Sequence, residues 1–247
     1  VNTEIMKLRS SSVPTLANAL ELFAIWPSNR GYTTHPLQCH FPGLGMAVGF
    51  ATTAVVSTDQ PGGLAPRPIR ERDYWEYIES VDGPKLAAVR DLDDRPGGAM
   101  WGEWNANVHK ALGCTGTITH GAVRDIEAVA ALDFHMFSTS VSVSHGYGAF
   151  VGFGEPVSVA GLTVRSGDLL VADRHGVLRI PSDIPIDELI AVANEIDRLE
   201  SEVFAYCQSA DFTTGGLDDL SQSVLERWPR PRNDEPGDRA VLRPLTP

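Results

Sequence analysis

The chain is poor in cysteine. Cys39, Cys114 and Cys207 are odd in number and far apart, with no CxxC pair and no zinc-ribbon spacing. That argues against a disulfide framework or a structural zinc site, and the expectation is a reducing, cytoplasmic setting. Cys114 sits in an apolar helix-to-strand turn and reads as a small packed residue rather than a nucleophile. No apolar run approaches the ~20 residues of a membrane-spanning helix, and no cleavable signal is read at the start. Positive charge is scarce as well. A formal net charge of −12 argues against nucleic acid as a partner, favours solubility and leaves room for a basic protein partner. Only three lysines occur, Lys7, Lys85 and Lys110, none in an evidently buried strand, which disfavours Schiff-base chemistry. GxGxxG opening a helix, GxxxxGK[ST], GxSxG and HExxH are all absent. Dinucleotide or S-adenosylmethionine binding therefore lacks its usual glycine turn.

What remains is a mixed α/β pattern in 247 residues, enough for one sizeable domain with appendages. Residues before Val13 are polar and read as loose. "PTLANALELFAIW" reads as a helix with Pro14 in its first turn and Leu16, Leu20 and Phe23 on one face. Asn18 and Glu21 fall on its solvated face. "GMAVGFATTAVVS" reads as a buried strand, "TDQPGGLAPRP" as a Pro/Gly loop, "RDYWEYIESV" as a short helix and "KLAAVRDL" as a strand. "AMWGEWNANVHKALG" reads as a helix closed by a left-handed Gly113.

Short strands follow in "FHMFST", "PVSVAG", "LTVRSGDLLVAD" and "GVLRIP". Pro185 to Cys207 is an amphipathic helix with Leu189, Val192, Ile196, Leu199 and Val203 on one side, and a further helix covers about Leu217 to Trp228. The division expected is a catalytic core over 14–181, a helical extension over 182–228 and a Pro-rich charged tail over 229–247. Strands and helices alternate without a regular βαβα beat, which favours a compact α/β sandwich over a TIM barrel.

The chemistry concentrates in "TGTITHGAVRDIEAVAAL", Thr115 to Leu132. A short strand reaches a glycine turn, a helix leaves it, and Arg124-Asp125 stands at the junction. One reading makes Asp125 a helix-terminal carboxylate, stabilising by ~0.3–1 kcal/mol, with Arg124 its surface partner. The other reading takes in Glu103, which opens the preceding helix. If the Gly113 turn makes that helix and the next strand antiparallel neighbours, Glu103 returns to the same end as Arg124 and Asp125. Two carboxylates and a guanidinium at one mouth suit a hard, oxygen-ligated cation, with the arginine reading an anionic substrate.

"WGEWNANVHKALGCTGTITHGAVRD", then "HGYG", then "VSVAGLTVRSGDLLVADRHGVLRIP" resemble the RraA-like family, which includes 4-hydroxy-4-methyl-2-oxoglutarate aldolases that also decarboxylate oxaloacetate. The resemblance runs from about Thr15 to Pro181. It implies a β/β/α swivelling-type sandwich, assembled as a homotrimer or homohexamer with its site between subunits. It further implies Mg²⁺ or Mn²⁺ at Asp125, a pyruvyl contact from Arg124, and a water held by Glu103 as acid or base. Backbone amides of Glu103 and Trp104 would cradle the substrate carboxylate. The activity implied is C–C bond cleavage in a 2-keto acid through a metal-bound pyruvate enolate.

Departures from the family pattern concern the substrate more than the metal. His120 stands before the turn glycine where the family often has Asp. His145, in "SVSVSHGYGAF", is a candidate cleft-lining residue, while His175 reads as structural. A neighbouring subunit's C-terminal region can supply an acid, for which Glu195, Glu200 and Glu202 are candidates. The contrasting expectation is a non-catalytic regulator docking on an RNA-degrading enzyme, as RraA itself does. The menaquinone methyltransferase name sometimes attached to the family fits least, for want of a glycine-rich cofactor turn.

Overall fold

The computed structural model describes residues 2–59, 69–93 and 97–230. In chain order it has α1 (Asn2–Met6), a 3-10 turn, α2 (Val13–Glu21), β1 (Gln38–Cys39), β2 (Ala47–Ser57), α3 (Glu71–Ser80) and β3 (Lys85–Asp91). Then come β4 (Ala99–Trp101), α4 (Glu103–Ala111), β5 (Cys114–Thr119), β6 (Ala122–Val123), α5 (Ile126–Ala130), β7 (His135–Ser138) and β8 (Ser140–Val141). The chain continues through β9 (Ala149–Phe153), β10 (Val157–Val159), β11 (Leu162–Val164), β12 (Leu169–Asp173), β13 (Gly176–Ile180), α6 (Ile186–Cys207) and α7 (Thr214–Arg227).

β2 organises the main sheet. Its run of β-branched and small residues is buried on nearly every position, as a strand covered on both faces should be. One edge pairs in parallel with β3, which continues in parallel to β5 and β7. The other edge is shared: β12 pairs antiparallel along the first half and β9 along the second. The order is β1-β7-β5-β3-β2-β12-β13, with β9 on β2, making eight strands. Alternation along β3 separates two cores. Leu86 and Ala88 join Ile118, Phe137 and the β10–β11 hairpin, while Ala87 and Val89 join Tyr74, Trp101, Ala106 and Met136 under α3 and α4.

A third core lies where α2 and α6 cover β12 and β13, so the C-terminal extension is seated on the sheet through Leu189, Ala193 and Ile196. The N-terminal segment is not loose. Ile5 and Leu8 are buried in that same core, because α1 and the turn after it fold back onto α6. α2 begins on a Ser12 side chain that accepts the Thr15 N–H at 3.1 Å, and it stops at Glu21, five residues short of the periodic run. The Pro/Gly segment after Asp59 and the tail after Arg230 lie outside the described residues. No helix of the described residues is long and apolar enough to cross a membrane.

Two polar side chains are buried here, and the first corrects the expectation that no lysine lies in a buried strand. Lys85 opens β3 and is buried, its Nζ donating at 3.1 Å to the Leu112 carbonyl at the C-cap of α4, where a cation is favoured. Lysine chemistry remains disfavoured because this ammonium is committed to a helix end. His109 is fully buried on α4, with Nδ1–H donating to the Asn105 carbonyl at 2.7 Å and Nε2 meeting the Tyr74 hydroxyl at 3.0 Å. Burial pushes its pKa down to about 4. Protonation is then easier in the unfolded chain, so stability from this group is present above pH ~6.5 and lost as pH falls toward 4. Lowering the pH from 7 to 5 is expected to cost the wild type on the order of 2 kcal/mol more than His109→Gln. Urea unfolding of both proteins at the two pH values checks this.

Candidate active site

The parallel strands β2, β3, β5 and β7 end on one side of the sheet, the side where open α/β sheets hold their ligands. A second sheet of three short parallel strands, β4-β6-β8, is built just beyond the end of β5. Its register pairs Trp101 with Val123, so the residues that follow each, Gly102-Glu103 and Arg124-Asp125, leave the sheet side by side. The segment predicted to be a single helix from Ala99 is therefore split. Ala99–Trp101 is strand, Gly102 is the N-cap, and only Glu103–Ala111 is helical before Gly113 turns at φ 86°.

Asp125 occupies the left-handed region, φ 57° and ψ 42°, where aspartate is tolerated better than most non-glycine residues. It stands at the N-cap of α5 but does not cap that helix. Instead its Oδ2 accepts the Glu103 N–H at 3.0 Å, so the carboxylate caps α4, the neighbouring helix. Arg124 Nε lies 3.5 Å from the same oxygen. Both side chains keep roughly a third of their surface exposed, so the pair is not sealed inside an internal salt link. Gly102 makes this approach possible, since a Cβ there would stand 2.4 Å from Asp125 Oδ2 and 2.9 Å from Arg124 Cγ.

Glu103, Arg124 and Asp125 are thus brought together. The Glu103 carboxylate is exposed at the first position of α4, while its N–H is taken by Asp125. That narrows the expected amide cradle to the Trp104 N–H, the next in the first turn, where the helix dipole favours an anion. The Trp104 indole itself is 77% exposed. His145 is exposed on the segment after β8, whose backbone bonds to Val123 (Ser142 N–H, 3.0 Å) and to the Ala99 N–H (through the Ser144 carbonyl, 2.7 Å). The histidine thus hangs beside the same small sheet.

The other candidates are accounted for elsewhere. His120 Nε2–H donates to the Asp91 carbonyl at 3.0 Å, and His175 pairs with Asp173 in an exposed turn. Burial pushes the Cys114 thiol up to about 12, as expected for a packed residue. Arg198 holds Glu195 and Glu202 at 2.6 Å, and Arg227 also grips Glu202, so these two acids are spent within the α6–α7 pair. Glu200 is half-buried, and burial raises its pKa.

No three His, Cys, Asp or Glu side chains gather into a metal-holding group among the described residues. An all-protein cage is therefore absent there. The donor set fits a different mode, in which Mg²⁺ or Mn²⁺ takes one carboxylate from the protein and completes its shell with substrate oxygens and water. Asp125, partly exposed in a cradle that a single methyl on Gly102 would fill, meets that requirement.

A protein of Halalkalibacterium halodurans bearing the name "Putative 4-hydroxy-4-methyl-2-oxoglutarate aldolase" is 36% identical over 133 residues, 47% of this chain and 63% of that protein. Protein DlpA of Legionella pneumophila is 29% identical over 132 residues, 51% of this chain but 21% of its own length. The chain thus spans less than two thirds of either relative. Among solved structures, an uncharacterised protein of Pseudomonas syringae pv. tomato aligns with a TM-score of 0.66 at 20% identity, covering 90% of this chain and 94% of its own. Streptomyces coelicolor RraAS2, described as an unusual member of the RNase ES inhibitor RraA protein family, aligns with a TM-score of 0.61 at 20% identity, covering 83% and 96%. At such identities these likenesses speak to the fold alone. The RraA-like model, described as Aldolase/RraA, matches residues 16–179, well over half of the sequence, and this protein belongs to the RraA-like family.

Proposed function

We propose that this protein is a divalent-metal-dependent lyase that cleaves a C–C bond in a 2-keto acid, by pyruvyl aldol cleavage, oxaloacetate-type decarboxylation or both. One observation carries the reading. The left-handed turn at Asp125, just after β6, sets its partly exposed carboxylate within 3.5 Å of both the Arg124 guanidinium and the first N–H of α4. A Mg²⁺ or Mn²⁺ ion held by Asp125 would supply Lewis acidity to the keto and carboxylate oxygens of the substrate.

The chain's own groups account for the remaining work. The Arg124 guanidinium pairs with the pyruvyl unit and lies where negative charge grows as the C–C bond breaks, so it favours the transition state over the ground state. The Trp104 N–H and the α4 dipole orient the substrate carboxylate. Glu103, free of any side-chain partner among the described residues, holds the water that delivers a proton to the enolate carbon of pyruvate. Retro-aldol cleavage and β-decarboxylation both leave their electron pair on that carbon; in the retro-aldol case the Glu103-held water first takes the substrate hydroxyl proton as the C–C bond breaks, so one constellation serves both.

The same reading has the site shared between copies of the chain in a trimer or hexamer. Val141 and Val143 are 61% and 99% exposed on the segment that runs beside Val123, and with Trp104 they make an apolar fringe around the site that a second copy would cover. Val143→Asp is expected to lower the assembly state seen by analytical ultracentrifugation and to reduce turnover with it.

Oxaloacetate decarboxylation or pyruvyl-aldol cleavage is expected with Mg²⁺ or Mn²⁺ and is abolished by EDTA. Asp125→Asn, which tolerates the left-handed turn, is expected to remove metal-dependent turnover while leaving the thermal midpoint within a few degrees. Asn-level activity equal to wild type would sink the metal assignment. Arg124→Lys keeps the charge but loses the planar fork, and is expected to cut kcat/KM by about 10²-fold with little change in metal binding by calorimetry. An inactive wild type that captures an RNA-degrading enzyme would favour the regulator instead.

A further inference from the structure

Behind the site lies a buried carboxyl that takes no part in the chemistry proposed above. Asp91 ends β3, and its side chain is 3% exposed. Its Oδ1 accepts the Asp93 N–H at 3.1 Å, and its Oδ2 faces the Thr58 hydroxyl at 3.5 Å. Asp93 is the better solvated of the two acids. It accepts the N–H groups of Thr58 at 2.5 Å and Asp59 at 2.9 Å, and the hydroxyls of Ser57 and Thr58 at 3.1 Å each. The Thr58 oxygen in turn accepts the Gly98 N–H at 3.2 Å. The segments that follow β2 and β3 are therefore tied around this acid pair.

Asp91 also touches the turn that leads to the site. A Cβ on Gly121 would stand 2.8 Å from Asp91 Oδ2 and 3.2 Å from its Cβ, so carboxyl and turn backbone are in close contact. His120, one residue earlier, donates from Nε2 to the Asp91 carbonyl. From Gly121 the chain runs through Ala122 and Val123, the whole of β6, directly into Arg124 and Asp125. Asp91 is the last residue of β3, and the turn is also held by the Thr139 hydroxyl, which donates to the His120 carbonyl at 2.6 Å.

We propose that Asp91 is a positioning residue of this site, and that its carboxyl, lent to Asp93 and packed on Gly121, fixes where β6 delivers Arg124 and Asp125. The neutral form does this best. With a proton between them, Asp91 and Asp93 attract, whereas two carboxylates repel, and the buried Asp91 is the one pressed against the glycine turn. Burial, then the charge of Asp93, raises Asp91 to about 6, against the N–H of Asp93 and the Thr58 hydroxyl, which lower it. For Asp93, burial is outweighed by the Thr58 and Asp59 N–H groups and the Ser57 hydroxyl, and its pKa is lowered. Among the described residues, the charged or titratable groups on the adjoining segments include Asp59, beside Asp93, His120 with Arg90 near it, and His145 and Tyr147 on the segment whose Tyr147 N–H donates to the Thr58 carbonyl at 2.9 Å. Burial lowers His120, so a limb belonging to that ring falls on the acid side and survives a change at Asp91.

The proposal rests on the lyase reading only for its kinetic arm. In that arm, wild-type kcat with oxaloacetate and Mg²⁺ is expected to fall as pH rises through about 6. Asp91→Ala is expected to lower kcat about tenfold, at the low end of what loss of a supporting residue costs. Asp91→Asn, whose amide donates at every pH, is expected to restore kcat and to erase the limb near pH 6. A merely structural Asp91 would lower the thermal midpoint of both variants and leave the limb in place for Asp91→Asn, which overturns the proposal. The second arm needs no turnover. Amide exchange across Gly121–Asp125 in the wild type should accelerate between pH 5 and 7 faster than in an unstructured peptide, and in Asp91→Asn it should not. Equal pH dependence in the two proteins overturns the positioning role, whereas an inactive wild type with the expected exchange overturns only the lyase.

Discussion

The site depends on one carboxylate capping a helix that is not its own. Asp125 turns left-handed at the end of β6, and that turn aims its Oδ2 at the first N–H of α4 instead of the first turn of α5. Backbone strain of this kind costs of order 1–3 kcal/mol and persists where surrounding structure demands it. Here the demand is visible: an orphan N–H is satisfied, an arginine is held alongside, and a glycine leaves room for both. Two segments separated by a helix and a strand are thereby locked at a single point. The exposed part of the carboxylate is what remains for a ligand.

That lock works because the elements behind it are rigid. α4 is fixed at its start by Asp125, along its length by the buried His109–Tyr74 pair, and at its end by the ammonium of Lys85. Each comes from a different part of the chain: the turn after β6, helix α3 and the first residue of β3. The glycines of the 97–98 and 146 positions let the neighbouring segments interlock, since a Cβ on Gly98 would stand 2.3 Å from the His145 carbonyl carbon. A 2-keto acid would therefore meet a prearranged set of donors, which is where electrostatic catalysis gains most.

Much of this was legible in the sequence where periodicity and turn chemistry act locally. β2, β3, α3, α6 and the left-handed Gly113 follow from β-branched runs, helical spacing and glycine. The convergence of Glu103 with Arg124-Asp125 followed from a short turn between helix and strand. What the pattern hid depended on distant partners. Gly102 reads as an ordinary helix residue until β4 pairs with β6 and makes it an N-cap. Ile5 and Leu8 lie in a polar segment, and only α6, far along the chain, gives them a core. Lys85 looks like a solvated strand end, because the carbonyl it caps lies 27 residues away. Asp91 carried no motif, and its importance appears only when Asp93, Thr58 and Gly121 surround it.

The double pinning of α4 also limits how this stretch of gene can drift. An α-helix advances about 100° per residue, so inserting or deleting one residue between Gly102 and Gly113 would rotate Glu103 about a quarter turn relative to Leu112. Neither anchor could follow, because Lys85 belongs to β3 and Asp125 to the turn after β6. Length variation among natural homologues should consequently spare this helix entirely.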